Sequence, residues 1–310
     1  MKIFLISLLL ISLHITSSAP ASGQCNCGNV GGGIIPVSGI SQTGVLNKNS
    51  MRITSGVQYS FGDKTYNFSA ETSNNTVESA YSIYSPLIID YGLTYDITLS
   101  AEFGYYYIRK AESPGWGTDE LSGPSRIVAS LKYDLFYSEI SEFEYTVGLG
   151  ISIPLNEAEL PAIQVNETIR SLQTSTGAYG LVFHSYLRKG FKNKLGLFLI
   201  NRLELNAANK EDYTYGHSLY SAAIISKNIS DNFGVSCELR NIIRTADKYQ
   251  SEIKENTGNI TLALAPHAYY SFDNLSLSVS YTSPIVGNYY GKQFATDKSF
   301  NMTLSYLFDF

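Results

Sequence analysis

The chain has 310 residues, a net charge of -5 and a pI near 5.4, so it offers no basic surface for nucleic acid. Charged residues are only 16%, against 24 Tyr, 25 Gly and 15 Phe; that balance excludes a charge-rich helical protein and fits strands banded with aromatic residues. Three cysteines are too few for a disulfide scaffold.

Lys2 precedes a nearly unbroken apolar run from Ile3 to Ile15. Ala19-Pro20-Ala21 and Ala21-Ser22-Gly23 then supply the small residues of a cleavage site. This predicts a secretory signal peptide over residues 1–23, cut after Ala21 or Gly23. It is too short for a spanning anchor. Cys25 invites a lipoprotein reading, but Gln24 and Ser22 stand where such a site needs a small residue and a Leu. No later stretch is long and apolar enough for a spanning helix. An exported chain can then cross the outer membrane only as a closed barrel. Residues 24–49 are rich in Gly, Ser and Asn and predict a flexible periplasmic segment with no clear element. Cys25 and Cys27 could share a soft metal, yet two ligands do not make a site and no Cys or His follows nearby. A tail or one periplasmic disulfide fits better. The glycines lack the Lys-Ser/Thr of a phosphate loop, and no cofactor is expected.

From Met51 onward the period is two. Strands are expected at Met51–Phe61, Ala80–Gly92, Ile97–Arg109, Ser125–Tyr137, Glu142–Pro154, Ser175–Arg188, Lys192–Asn206, Thr214–Asn228, Phe233–Arg244, Asn256–Tyr270, Leu275–Tyr281 and Phe300–Phe310. Glu142–Pro154 alternates most cleanly: Phe143, Tyr145, Val147, Leu149, Ile151 and Ile153 oppose Glu144, Thr146, Gly148, Gly150 and Ser152. The facing of Thr214–Asn228 stays undetermined. An even strand number is what a bacterial barrel needs. Short connections (Thr94–Asp96, Ser138–Ser141, Lys189–Phe191, Ile229–Asn232, Ser271–Asn274) alternate with longer ones, among them a polar loop over Lys110–Pro124. In a barrel with both termini periplasmic, the short turns share the periplasmic side. A soluble sandwich demands no such correlation. The expected fold is therefore an all-β transmembrane antiparallel barrel of about twelve strands over residues 50–310.

The last strand sets Phe300, Met302, Leu304, Tyr306, Phe308 and Phe310 on one face and ends on an aromatic residue. It resembles the C-terminal strand of outer-membrane barrels, which implies that Tyr306, Phe308 and Phe310 form the signal read by the barrel assembly machinery. Tyr91-Gly92-Leu93-Thr94 with Asp96 resembles a recurrent turn of the phenol-degradation meta-pathway barrels, a family broadly similar to the fatty-acid and aromatic-hydrocarbon channels. Gly148-Leu149-Gly150 with Pro154 is similar to their Gly-Leu-Gly…Pro-Thr-Gly stretch, although Leu155-Asn156 replaces the Thr-Gly, and Gly177 lies where the family opens its next strand. The resemblance covers roughly residues 80–310 and implies a passive outer-membrane channel or transporter.

The faces opposite the apolar ones carry Glu102, Lys132, Asp134, Glu144, Arg202, Glu204, Glu238, Arg240 and Arg244. Such residues are too costly in lipid and read as a lumen wall whose mixed charge sets a constriction. The bland alternative is that they fill and rigidify a small barrel. Tyr106, Tyr220 and Tyr269 are candidate linings for an apolar solute. A barrel lipid hydrolase would need a Ser and a His within reach. His184-Ser185 and His217-Ser218 are strand neighbours that face opposite ways, so an enzyme is not expected. A surface or scaffold barrel without transport remains open. The expected partners are outer-membrane lipid and lipopolysaccharide, the assembly machinery and a small solute.

Overall fold

The computed structural model describes residues 24–26, 44–72, 77–113, 117–156, 172–295 and 298–310. The signal peptide and its cleavage sites fall outside these residues, as does Cys27. Twelve strands close into one antiparallel barrel: β1 (Ser50–Gly62), β2 (Ser79–Gly92), β3 (Ile97–Ser113), β4 (Gly117–Ser138), β5 (Phe143–Pro154), β6 (Gly180–Phe191), β7 (Leu195–Asn206), β8 (Ser218–Asn228), β9 (Phe233–Arg244), β10 (Asn259–Phe272), β11 (Leu275–Tyr289) and β12 (Lys298–Asp309). Each strand pairs with its neighbours in the chain, and β12 closes on β1 with Lys298 opposite Phe61 and Asp309 opposite Ser50. Each of the twelve expected strands has its counterpart. Closure leaves no row of unpaired N–H and C=O groups, the condition for crossing hydrocarbon with strands.

The period of two sorts the side chains. On β12 Phe300, Met302, Leu304 and Tyr306 are exposed outward, while Ser299 and Ser305 are buried inward. On β5 Leu149 and Ile151 point out, and Glu144, Thr146 and Ser152 point in. On β8, Ala222, Ile224 and Ser226 face inward and Ile225 outward, which settles the facing that the sequence left undetermined. An apolar exterior around a polar interior inverts a soluble protein and is stable only against lipid.

One end of the barrel is made of turns of two to four residues: 93–96, 139–142, 192–194, 229–232 and 273–274. Asn193 and Lys194 both take positive φ, 64° and 58°, the left-handed conformation that a tight hairpin uses. The opposite end carries the longer connections. One expected loop is absent there. Instead of a polar loop over Lys110–Pro124, β3 runs on to Ser113 and β4 begins at Gly117, so a hairpin extends past its neighbours. Gly123-Pro124 is not a turn. It pairs with Tyr106 and Tyr105 beside the register shifts of β3 and β4. Gly123 has φ +145°, which disfavours a Cβ, and Pro124 brings no N–H to the ladder. The same residue types mark a turn or a bulge, and here they mark a bulge.

Two small sheets stand at the long-loop end. Lys292–Ala295 pairs with Lys64–Asn67, which pairs with Ala70–Thr72, and Tyr213–Thr214, Lys248–Tyr249 and Glu252–Ile253 form the other. Gln24–Asn26 lies parallel to Lys292–Ala295, with Cys25 opposite Phe294. Residues 24–49 are therefore not without an element at their described ends. Their other described end sits at the short-turn end, where Leu46 N donates to Thr98 Oγ1 at 2.7 Å and Gly44 N donates to Glu144 Oε1 at 2.8 Å. Val45 and Leu46 are buried there. Main-chain donors hold this piece, and they leave no side-chain pattern to read. Gly92 matters for the same reason: a Cβ on it would lie 1.9 Å from the Asn47 carbonyl oxygen, so the Tyr91-Gly92-Leu93 step admits no side chain.

Candidate functional site: the barrel lumen

Inward positions gather into layers along the barrel. Nearest the short turns, Arg52 of β1 and Lys132 of β4 converge on Asp90 of β2. Arg52 Nη2 is 2.8 Å from Asp90 Oδ2, and Lys132 Nζ is 2.9 Å from Oδ1. Glu144 is also here, held by Gly44 N and by the Thr146 hydroxyl at 3.3 Å.

The next layer crosses the lumen. Arg202 of β7 donates through Nη1 to both oxygens of Glu102 on β3, at 2.9 and 2.7 Å. Its Nε donates to Glu204 Oε1 at 2.7 Å. Arg126 of β4 meets the same Glu204 through two bonds of 2.8 Å. In the circle of twelve, β3 and β7 are four strands apart and β4 and β7 three apart, so these bonds are chords rather than neighbour contacts. Two guanidinium groups and two carboxylates balance. Their side chains are 5–9% exposed, which removes the pairs from bulk water and makes the loss of one partner costly.

A third group lies on β8–β10. Glu238 accepts from Tyr220 Oη at 2.6 Å and stands 3.0 Å from His267 Nε2. Arg240 Nε is 2.7 Å from the Glu238 carboxylate. Next to it the wall turns apolar. Ile200, Ala222 and Ile224 are buried together, with Tyr186, Phe198 and Tyr220 packed against them. His184 stacks on Tyr186, the rings 5.9 Å apart and 14° from parallel. At the long-loop end Arg244 Nη2 lies 2.5 Å from Asp247, whose carboxylate also accepts from Tyr213 Oη and Gly216 N at 2.7 Å each.

Of the residues expected in the lumen wall, Glu102, Lys132, Glu144, Arg202, Glu204, Glu238, Arg240 and Arg244 are buried inside the barrel. Asp134 keeps the inward register of Lys132 and lies opposite the buried Thr146. It sits at the short-turn rim beside a bulge, half-buried, accepting from Phe136 N at 3.1 Å. The bulge follows Asp134 and leaves its own pairing unshifted. Arg52, Asp90 and Arg126 complete the networks and escaped the sequence reading. Asp90 follows Leu87-Ile88-Ile89, where alternation lapses, and Arg126 sits beside Gly123-Pro124, read there as a turn. The candidate linings Tyr106 and Tyr269 are buried inward, and Tyr220 joins the apolar patch. His217 Nδ1 accepts from Asn206 N at 3.1 Å. No group of three or more potential metal ligands occurs among the described residues. Cys237 is a free thiol on the outward face. Tyr306, Phe308 and Phe310 form an aromatic ladder at the end of β12, with ring centroids 4.5 and 6.3 Å apart.

No family model and no curated protein matches the chain. Among solved structures, the fold is similar to the COG4313 outer membrane channel from Pseudomonas putida F1, with a TM-score of 0.66 and 14% identity over 85% of this chain and 97% of that one. The NanC porin (TM-score 0.46, 9% identity, 83% and 98% covered) and a TodX monoaromatic hydrocarbon channel mutant (0.46, 9%, 86% and 91%) match more loosely and carry no weight. The likeness to the first is one of fold, and with the closed twelve-strand topology and the apolar exterior it makes the chain an outer-membrane β-barrel.

Proposed function

We propose that the chain is a passive outer-membrane channel for small solutes, favouring those with an apolar or aromatic body. The observation that carries this reading is the composition of the lumen wall: a charge-balanced chord, Glu102–Arg202–Glu204–Arg126, adjoins the apolar patch of Ile200, Ala222, Ile224, Phe198, Tyr186 and Tyr220. A balanced ring gives neither ion sign a well, so it discriminates by size and shape. The apolar patch gives a hydrophobic body a surface that bulk water does not. The resemblance to the meta-pathway barrels supports the same class of solute. In this reading the short turns and the C-terminal end of β12 are periplasmic, while Gln24–Asn26 stands at the opposite, long-loop end; residues 1–23 are removed on export, lipid and lipopolysaccharide surround the apolar belt, and Tyr306, Phe308 and Phe310 present the assembly signal. A cysteine at Thr118 then reacts with an impermeant maleimide on intact cells, and one at Tyr95 only after the outer membrane is opened.

A second reading, a barrel without transport, draws on one observation: the lumen groups are buried and the backbone of Gly44–Leu46 is bonded into the wall. Planar-bilayer recording separates the two. The channel reading expects small, weakly ion-selective openings, and faster swelling of proteoliposomes in benzyl alcohol than in a sugar of equal mass. Silent bilayers with no swelling by either solute overturn it.

A further inference from the structure

Four neighbouring strands bring two cations and an imidazole into one row of the lumen wall. Lys132 of β4 and His184 of β6 both lie opposite Gly148 of β5, and His184 lies opposite Arg202 of β7. A Cβ on Gly148 would stand 3.3 Å from both His184 Cβ and Lys132 Cγ, so the two side chains close over the glycine from either side. Lys132 Nζ stands 5.8 Å from the centre of the Tyr186 ring, on which His184 stacks. The row holds hydrogen-bonding capacity that the wall leaves unused. Arg202 commits Nη1 to Glu102 and Nε to Glu204, but its Nη2 has no hydrogen-bond partner among the described residues. His184 Nε2 has none either, nor has Ser130 Oγ, which lies one inward step along and opposite Gly150. His184, Arg202 and Ser130 are only 4–7% exposed, and a buried polar atom without a partner is destabilising unless a ligand supplies one. The layer also holds one positive charge more than its carboxylates answer. Lys132 and Arg52 share Asp90. Glu144 lies opposite Arg188, Asp134 lies at the short-turn rim, and the chord is balanced within itself. Beside the row the wall is apolar: Ile200 is two residues from Arg202 on the same face, and Tyr220 lies opposite Arg202 on β8.

We propose that Arg202 Nη2, His184 Nε2 and Lys132 form a binding site for a monocarboxylate whose aromatic or aliphatic body lies on Tyr186, Ile200 and Tyr220. One excess charge matches a monoanion. Paired residues on neighbouring strands hold their Cβ atoms about 5 Å apart, so the imidazole and the guanidinium edge can each serve one oxygen of a single carboxylate. Charge-assisted bonds are about twice as strong as neutral ones, which favours the acid over an amide of the same shape. The inference takes the apolar body from the channel reading and adds the acid group, which neither the chord nor the patch selects by itself. Lys132 supplies the charge, and His184 and Arg202 place the oxygens.

The test uses the full mature protein in lipid nanodiscs and titration calorimetry with benzoate and benzamide, which share a shape and differ in charge. Benzoate is expected to bind roughly tenfold tighter or more. Lys132→Met leaves Arg52 and Asp90 as a balanced pair and should bring benzoate to within about threefold of benzamide. His184→Phe keeps a ring on Tyr186 and removes Nε2. It should weaken benzoate about three- to tenfold and leave benzamide unchanged, a split that general damage to the wall would not produce. Both variants should keep the heat-modifiable band on unboiled gels, and if one does not fold the other decides. Equal binding of benzoate and benzamide by the wild type overturns the proposal. So does a benzoate preference that survives the substitutions, which would place the acid elsewhere. Channel openings without benzoate binding overturn this site and spare the channel. Benzoate binding that is lost in Lys132→Met, with silent bilayers, upholds the site and overturns the channel.

Discussion

The outer and inner walls of the barrel are built from the same twelve strands, alternate residues going to each. The outer wall is repetitive: Leu149, Ile151, Leu239, Val279, Met302 and their like each meet the same solvent, lipid, and no residue there depends on a particular partner. The inner wall is specific. Arg202 is useful only because Glu102 and Glu204 stand where they do, on one strand four places away and on its own. A substitution on the outer wall is therefore judged by its chemistry alone, and one on the inner wall by which partner it strands.

The largest effect is expected inside. Arg202→Ala leaves the Glu102 and Glu204 carboxylates with the Arg126 pair as their remaining compensation near the chord. Breaking a buried pair by removing one partner costs about 3–5 kcal/mol. Urea unfolding in lipid vesicles measures it. The double change Glu102→Gln, Arg202→Met should cost less than the single one, because Glu204 keeps Arg126 as its partner and no carboxylate is left uncompensated. If the single change is the milder, the chord is solvated and does not hold the wall.

Outside, Leu149→Arg places a guanidinium on the lipid face of β5, where Leu149 is 55% exposed. Near the bilayer midplane such a change costs about 2–4 kcal/mol. Unlike the change at Arg202, this loss should shrink as the site moves toward the rim, so Phe143→Arg, beside a short turn, is expected to cost less. Equal costs at the two positions would mean that the apolar face is not set by depth in lipid.

What the sequence reveals follows the same division. The outer wall is legible because alternation is a local property, and even Leu307, the apolar exception in the last strand, sits on the inward face opposite Arg52. The charged residues of the inner wall are legible as a set, yet their pairing is not. Glu102 and Arg202 are a hundred residues apart and meet across a chord that no spacing records. Departures from alternation mislead: the bulge at Gly123-Pro124 hides Arg126, which belongs in the lumen wall. Main-chain bonding is the remaining blind spot. Gly44–Leu46 docks through its N–H groups, which any sequence would supply.

That docking gives a third, smaller expectation. Thr98→Val keeps the shape and removes the acceptor for Leu46 N. A buried donor left unsatisfied costs about 1–3 kcal/mol. The cost falls on the segment and not on the barrel, so global unfolding should barely change. Amide exchange at Leu46 should instead quicken by roughly tenfold or more, tenfold being about 1.4 kcal/mol. Unchanged exchange would show that apolar contacts of Val45 and Leu46 hold the segment without this bond.

The smallest effect is expected where neither wall is involved. Lys194 and Asp231, in adjacent short turns, lie 2.5 Å apart with side chains 55% and 90% exposed. The hydrogen bond from Lys194, and then its charge, holds the Asp231 carboxyl below its ordinary value. A depressed carboxyl contributes stability that is present above its unfolded pKa and lost as pH falls through the folded one, so any contribution appears at neutral pH and fades on acidification. Water competes for both groups here, and exposed pairs of this kind frequently contribute nothing measurable. Asp231→Asn should therefore leave the urea midpoint unchanged at pH 7, and the variant and wild type should lose stability in parallel as the pH is lowered. A midpoint that falls at pH 7 and converges with wild type in acid would show that this turn pair pins the short-turn end of the barrel.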